Sequence, residues 1–495
     1  MLFRTLKNTT RLIIIATAML RNNAIFFWRG EPTFEKGQRF ARALEQLGPT
    51  FVKLGQLLST RPDLIGQDVA LALTELQDRV PPFPVKQVHK IIEQQLGKPT
   101  HELFASFDNK AAAAASIAQV HFATLKDGRQ VAVKILRPDI EEAFARDVAL
   151  FYWLGDLIEW WQPELKRFKF AEVTKTFEDM IRFELDLRFE AGAAVELRQN
   201  LKNDPGLYVP EVCWNYTSHR VLTLERVTGI PINDVAAIRA AGHDPVKLVD
   251  KTAVSFFNQV FRDGFFHADM HPGNMFVLPN GKIAVVDFGI MGRIDKKSRI
   301  YLAQILHGFM TEDYYNLAKV HFDAGFVPPD KSVENFALAM MAITKPIIGR
   351  KLSDISVARL LGQLFTTAET FEMEAQPQLL LLQKNMMLTE GVGRMLNPDV
   401  NMWQVVQPLI EAWAKENLGV RSKIKEHLGE GIALARALPV LIARAETVLA
   451  RVSEGNLKEH LSEQRQKFHN DWLILGWCGL VAFLCIYAIK MLAGH

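Results

Sequence analysis

Acids and an amide that could hold a metal-bound phosphate lie close together in this 495-residue chain, first in His267-Ala268-Asp269-Met270-His271-Pro272-Gly273-Asn274 and then in Asp287-Phe288-Gly289. Between them run Met275 to Leu278, Pro279-Asn280-Gly281, and Lys282 to Val286. Two short apolar runs joined by Asn-Gly predict a β-hairpin, whose return strand brings Asp287 back beside Asp269 and Asn274. One Asp would then orient an attacking hydroxyl, while the Asn and the second Asp hold magnesium on nucleotide phosphates. A polar turn without chemistry is the blander reading, and it leaves the paired motifs and their spacing unexplained. A metal site of His267, Asp269 and His271 is the sharper rival, because alternate residues can face one ion. It leaves unexplained both the hairpin to Asp287 and a lysine-bearing strand far upstream.

That spacing, Asp then Asn five positions later then Asp-Phe-Gly, is the order of the catalytic motifs in protein-kinase-like enzymes. Such a site needs a small sheet upstream. Phe104 to Phe107, Ile117 to Leu125 and Gln130 to Leu136 read as strands, with Asp127-Gly128 turning the last two. Val131-Ala132-Val133-Lys134 has the pattern of the strand whose lysine pairs with the α and β phosphates. Where a glycine-rich phosphate loop would stand, the chain has Ala111 to Ala115 and Ser116, which keep the backbone amides but add a Cβ at each step. Lys134 needs a carboxylate from the next long helix, expected over Phe170 to Gln199 and carrying Glu184, Asp186 and Glu190. Glu184 and Asp186 would lie about 200° apart on one helix, so they cannot both face Lys134, and Glu190 one turn on is a further candidate. Tyr208 to Val212 and Arg220 to Val227 read as two more strands, and the backbone around Glu225 and Val227 falls where the chain would cross between lobes and read an adenine edge. Asp244 to Asp263 reads as a helix entering the catalytic loop, and the sequence from Lys297 to Leu461 is helical in pattern.

Composition narrows the classes. Lys plus Arg number 58 against 55 Asp plus Glu, a net charge of +3, too balanced for a nucleic-acid partner bound by phosphate neutralisation. The three cysteines, Cys213, Cys478 and Cys485, form no Cys-x-x-Cys pair, which argues against a disulfide framework or a structural zinc. An apolar run at Leu12 to Leu20, flanked by basic residues and without acids before Glu31, predicts a retained helix that either lies on a surface such as a membrane or packs on the body. Trp472 to Leu492 is nearly all apolar, and about 20 residues at about 1.5 Å each match a bilayer core of roughly 30 Å, so this tail is expected to span a membrane. Only Ile290 to Asp295 separates Asp-Phe-Gly from the next helical run, and no Ala-Pro-Glu triplet follows, which leaves little room for a platform that holds a peptide substrate.

With Lys53-Leu54-Gly55-Gln56 also present in a helical stretch near the start, the chain resembles the UbiB family, the ADCK-type atypical kinases tied to ubiquinone biosynthesis. The matching residues are Lys53 to Gln56 for a Lys-x-Gly-Gln motif, the alanine loop, Lys134, Glu184-Leu185-Asp186 for a Glu-x-Asp motif, and His267 to Asn274 with Asp287. The resemblance implies an α+β, two-lobed protein-kinase-like fold with an N-terminal helical extension (1–102), an N-lobe (103–227), a helical C-lobe (228–470) and a C-terminal transmembrane anchor (471–495). It implies that Lys53 and Gln56 cover the cleft facing Glu184 and Asp186, that Glu190 pairs with Lys134, that Asp269 is the catalytic acid/base, and that Asn274 and Asp287 hold Mg2+. ATP would be bound by Ala111, Ala112, Ala113, Ala114, Ala115, Ser116, Ile117, Ala118, Gln119 and Lys134, with Glu225 and Val227 at the lobe crossing. It further implies ATPase or small-molecule kinase chemistry supporting ubiquinone assembly at the inner membrane, with membrane lipid, lipid quinone intermediates and other biosynthetic proteins as partners. A protein or lipid kinase, and an ATP-binding pseudokinase scaffold, are the alternatives. Family members often carry two spans, and room for one here leaves a hairpin anchor or a homodimer open.

Overall fold

The computed structural model describes residues 2–24, 33–59, 65–74, 81–161, 170–204, 206–346 and 377–399, with scattered positions elsewhere up to 413. Its N-lobe is built on β1 (Phe104–Phe107), β2 (Ala113–Ala114), β3 (Ala118–Leu125) and β4 (Gln130–Leu136). Alternation along β4 decides where its lysine points: Val131, Val133 and Ile135 are buried, so Lys134 must face the opposite side. The buried side packs on the helix Val85–Leu96 through Val88, Ile91 and Ile92.

Further along, β5 (Leu207–Tyr208), β6 (Val221–Glu225) and β7 (Ile230–Pro231) lead into β8 (Phe265–His267), β9 (Met275–Val277), β10 (Ile283–Val285) and β11 (Met291–Arg293). The N-lobe sheet runs β1-β3-β4-β6, with β2 on β3; a second sheet runs β5-β10-β9-β7, and β8 pairs with β11. The Asn-Gly hairpin forms as expected, with Gly281 in the left-handed region at φ 72° and β9 and β10 antiparallel through Ala284 and Phe276. One expected strand is displaced. Tyr208 to Val212 does not extend the N-lobe sheet as one strand: Leu207 and Tyr208 pair parallel with β10, and only Val212 bridges to Leu224 of β6.

Long-range packing joins the N-terminal extension to both lobes. Phe40, Leu44, Phe51 and Leu54 share one core with Phe151 and Phe177 of the N-lobe helices, with Leu185, and with Phe288 beside the β9–β10 hairpin. The rings of Phe51 and Phe151 meet edge-on at 5.7 Å. Backbones come very close at Gly37, where an added Cβ would stand 2.5 Å from the Ala72 side chain and 2.9 Å from the Val69 Cα. The first helix, Leu2–Arg21, packs on the body, burying Ile15 and Met19, and Arg11 grips the buried Asp147 through two bonds of 2.8 and 2.9 Å. Its outward face keeps Ile13, Ile14 and Leu20 exposed.

The helix expected over Phe170 to Gln199 is two helices, Phe170–Glu184 and Leu187–Asn200. Asp186 causes the break: its side chain caps the second helix by accepting from the Arg188 N–H, and the Leu187 N–H leaves the helical path to donate to the His219 carbonyl. No described helix is long and apolar enough to cross a membrane, and the expected span at 472–492 lies outside the described residues.

In the C-lobe, the helices Tyr314–Asp323 and Val333–Thr344 enclose His321 between Phe326 and Phe336, with Nδ1 donating to the Leu317 carbonyl at 2.8 Å. Burial pushes its imidazole from 6.5 down to about 4. Because the folded value is the lower, the unfolded chain takes up a proton first on acidification, so stability falls as pH drops through 6.5 and levels off near 4. The expected loss is about 3 kcal/mol between those limits. Chemical denaturation from pH 7 to pH 4 should show it, and His321→Leu should flatten that part of the profile.

Candidate active site

Two carboxylates converge on the β4 lysine. Lys134 Nζ donates to both oxygens of Glu190, at 2.8 and 2.9 Å, and to Asp287 Oδ1 at 3.2 Å. Glu190 comes from the helix Leu187–Asn200, which turns Ala191, Ala194 and Leu197 into the core and presents its first turn to the cleft. Burial works against the Lys134 charge, but Asp287 and Glu190 outweigh it and hold the ammonium's pKa above its ordinary value. Burial likewise raises the Glu190 carboxyl against the pull of Lys134. The Lys134 ammonium, helped by the more distant Lys53, holds Asp287 well below the usual carboxylate range, so it is ionised at neutral pH. Asp287 also sits in the left-handed backbone region at φ 65°, a conformation rare outside glycine and tolerated best by Asp and Asn. That turn swings its carboxylate back to the lysine directly after β10.

Across the hairpin, Asp269 is positioned from several directions. Its N–H donates to His267 Nδ1 at 3.2 Å, while Asn274 Nδ2 donates to its carbonyl at 3.2 Å and to its carboxylate at 3.4 Å. The Val286 N–H donates to the Asn274 carbonyl, which ties the loop to the strand that ends at Asp287. On the other side, β11 pairs with β8 and the Ala268 N–H donates to the Ile290 carbonyl, so the short segment after Asp-Phe-Gly braces the loop that carries Asp269. A π-helical turn at Asn258–Asp263 brings Gln259 under β8, where its amide oxygen accepts from the His267 N–H. His267 is fully buried, and burial pushes its imidazole down, which keeps it neutral.

A third element reaches this loop from far along the chain. On the helix Pro377–Leu396, Asn385 is fully buried, accepts from the Met270 N–H at 2.9 Å and donates to the His267 carbonyl at 2.6 Å. Beside it, Lys384 Nζ lies 3.3 Å from Asp269 Oδ1. Sequence reading missed both residues. Nothing in Gln383-Lys384-Asn385 marks it locally, because the helix carries other polar residues, among them Gln378, Thr389 and Glu390.

The expected nucleotide-contacting residues divide. Ala113 and Ala114 of the alanine loop form β2, and the N–H groups of Ala112 and Ala115 donate to Val120 and Ala118, so those two amides serve the hairpin rather than a phosphate cradle. Ala111 continues the same loop; Ser116, Ile117 and Ala118 are buried beneath it. The side chain of Gln119 is held by protein partners. It is buried, its amide oxygen accepts from the Phe83 N–H at 2.9 Å and its nitrogen meets His121, so it clamps the Pro81 to Pro84 segment onto the sheet. At the lobe crossing the Glu225 N–H donates to Glu211 and its carboxylate accepts from the Tyr208 hydroxyl, because β6 runs through Glu225, and Val227 follows beyond the strand.

Lys53 lies on the helix Pro49–Ser59 and donates to Glu184 Oε1 at 2.9 Å, with both side chains largely excluded from solvent. Gln56 is one turn further along the same helix. Asp186 does not join them. Both of its oxygens are taken by the Arg188 guanidinium, at 2.9 and 2.7 Å, because the helix break turns it towards the start of its own helix.

A family model of the ABC1 atypical kinase-like domain matches residues 75–321, and one of the UbiB helical domain matches 340–401. The chain is 45% identical over 419 residues to a probable protein kinase UbiB of Marinobacter nauticus, covering 83% of this chain and 77% of that protein. It is 39% identical over 454 residues to one from Pseudomonas aeruginosa, covering 90% and 84%. The chain belongs to the UbiB family. Among solved structures, a complex of Rv3197 with erythromycin from Mycobacterium tuberculosis matches with a TM-score of 0.52 at 25% identity, covering 74% of this chain and 93% of that one. The kinase-like α+β fold of this UbiB family member is therefore shared with an experimental structure. The helix carrying Lys384 and Asn385 falls within the match to the UbiB helical domain, outside the atypical-kinase match that contains Asp269.

Removing Lys53 would strand Glu184 in a nearly closed environment. Breaking such a pair costs about 3–5 kcal/mol, whereas losing a solvated lysine changes stability by within about 0.5 kcal/mol. Lys53→Ala is expected to fall in the first range by urea denaturation, and Lys53→Met with Glu184→Leu should recover much of the loss.

Proposed function

We propose that this UbiB family member binds ATP with Mg2+ in the cleft between β4 and the catalytic hairpin and uses its γ-phosphoryl group in ubiquinone biosynthesis. It is an atypical kinase-like protein of that process. The observation that carries the reading is the cation of Lys134 held between Glu190 and Asp287, with Asp269 and Asn274 fastened across the same hairpin. The donor set suits magnesium: with the Asn274 nitrogen donating to Asp269, its amide oxygen is left to join the half-exposed Asp287 carboxylate as a hard ligand. Magnesium takes one or two such protein oxygens and completes its shell with phosphates and water.

Bound there, the ion would neutralise charge on the phosphates. Lys134 would hold the α and β phosphates, released from Asp287 yet still aligned by Glu190. Asp269, oriented by Asn274 and His267, would accept the proton of the attacking hydroxyl. A small molecule or water is the acceptor this reading favours over a peptide, for two reasons. After Asp-Phe-Gly the chain is used in β11 and passes directly into the helix Lys296–Met310, and the Lys53 helix packs beside the cleft. The apolar face at Ile13, Ile14 and Leu20, with the apolar sequence of the tail, supports work at the inner membrane on lipid quinone intermediates beside other biosynthetic proteins.

Lys134→Ala and Asp287→Asn are each expected to abolish the rise in melting temperature that Mg-ATP produces, the first by deleting the phosphate cation and the second by deleting a metal ligand. Undiminished stabilisation in both would place the nucleotide elsewhere. Loss of ubiquinone from cells lacking the chain, restored by the native sequence and not by Lys134→Ala, would link the cleft to the pathway.

A further inference from the structure

We infer that Lys384, carried on the helix Pro377–Leu396, is the cation that meets the transferring phosphoryl group beside Asp269. The inference rests on the ATP reading of the cleft and adds a residue to it. Phosphoryl transfer leaves negative charge on the equatorial oxygens of the moving group, and positive groups around them supply much of the catalysis. Between Gly264 and Gly281 the catalytic loop contains no Lys or Arg, and Ala268 and Met270, on either side of Asp269, are buried apolar residues. Lys134, between Glu190 and Asp287, is already assigned to the α and β phosphates, and Lys53 pairs with Glu184. Among the described residues, the lysine bonded to Asp269 comes instead from 115 positions away: Lys384 Nζ, 3.3 Å from Asp269 Oδ1.

The mounting of that lysine is more rigid than a surface ion pair needs. Asn385, its neighbour, is fully buried and bonds the catalytic loop on both sides of Asp269, through the Met270 N–H and the His267 carbonyl. Leu382 packs in one core cluster with Phe261, Phe266 and Ala268, while Val392 and Leu396 enter the main core. The helix is thus fixed to the loop, and the lysine stem, with 18% of its side chain exposed, keeps the freedom to turn from Asp269 to an arriving phosphate oxygen. A partly exposed ion pair by itself contributes little to stability, so so firm a mounting points to the lysine's work at the loop.

In the step that follows, an oxygen of water or of a hydroxyl substrate forms a bond to the γ-phosphorus and its proton passes to Asp269. The bond between the γ-phosphorus and the bridging oxygen breaks, and its electron pair leaves with ADP. Lys384 donates to a non-bridging γ-oxygen throughout. It therefore discriminates ATP from ADP, which a lysine that merely braces the fold would not do.

The test uses the full chain with Lys384→Ala and Lys384→Arg, measuring Mg-ATP and Mg-ADP binding by titration and ADP release by turnover, with melting temperature as a fold control. Lys384→Ala is expected to weaken ATP at least ~10-fold with ADP affinity within ~3-fold, and to lower turnover ~100- to 1,000-fold. Lys384→Arg should restore at least ~10-fold of that turnover. Equal weakening of both nucleotides, or unchanged ATP affinity and turnover in a folded Lys384→Ala, would overturn the assignment. If the native chain binds Mg-ATP no better than Lys134→Ala does, the nucleotide reading itself fails and the inference falls with it.

Discussion

The charge cluster of Lys134, Glu190 and Asp287 is the constraint on which the remaining architecture depends. An ammonium and a carboxylate removed from water are tolerated only when their partners are held at bonding distance, and here the three groups come from a strand, a helix and a hairpin end far apart in sequence. Each must therefore be placed by its own packing. The β4 alternation points Lys134 inward, Ala191, Ala194 and Leu197 seat the helix that presents Glu190, and the left-handed turn at Asp287 returns its carboxylate to them.

Around that cluster the protein replaces parts of a protein-kinase cleft with its own. Directly after Asp-Phe-Gly, three residues pair back onto β8 and brace the loop that carries Asp269. The N-terminal helices share a core with both lobes, so the Lys53–Glu184 pair is part of the folded body and not an appended tail. From the other end of the chain, the helix Pro377–Leu396 clamps the loop through Asn385 and sets Lys384 at Asp269. Segments on both sides of the kinase-like domain thus close on the same cleft.

Read as sequence, the chain determines what is local. The Asn-Gly turn with apolar flanks specifies the hairpin, the alternation around Lys134 specifies its facing, and the order of Asp269, Asn274 and Asp287 marks the kinase-like domain, because each follows from spacing along a short stretch of chain. Tertiary structure decided what depends on partners distant in the chain. Asp186 could be a helical residue or a cap, and a carbonyl at His219 tipped it to the cap, which broke the expected helix and gave Asp186 to Arg188 instead of Lys53. Gln119 could face the cleft or the core, and the backbone of Phe83 took it for the core. Lys384 and Asn385 read as ordinary helix residues until folding carries them 115 positions back to the loop. Side-chain polarity and period are written in the sequence, whereas the partner that completes a buried hydrogen bond is supplied by whichever distant element packing brings there.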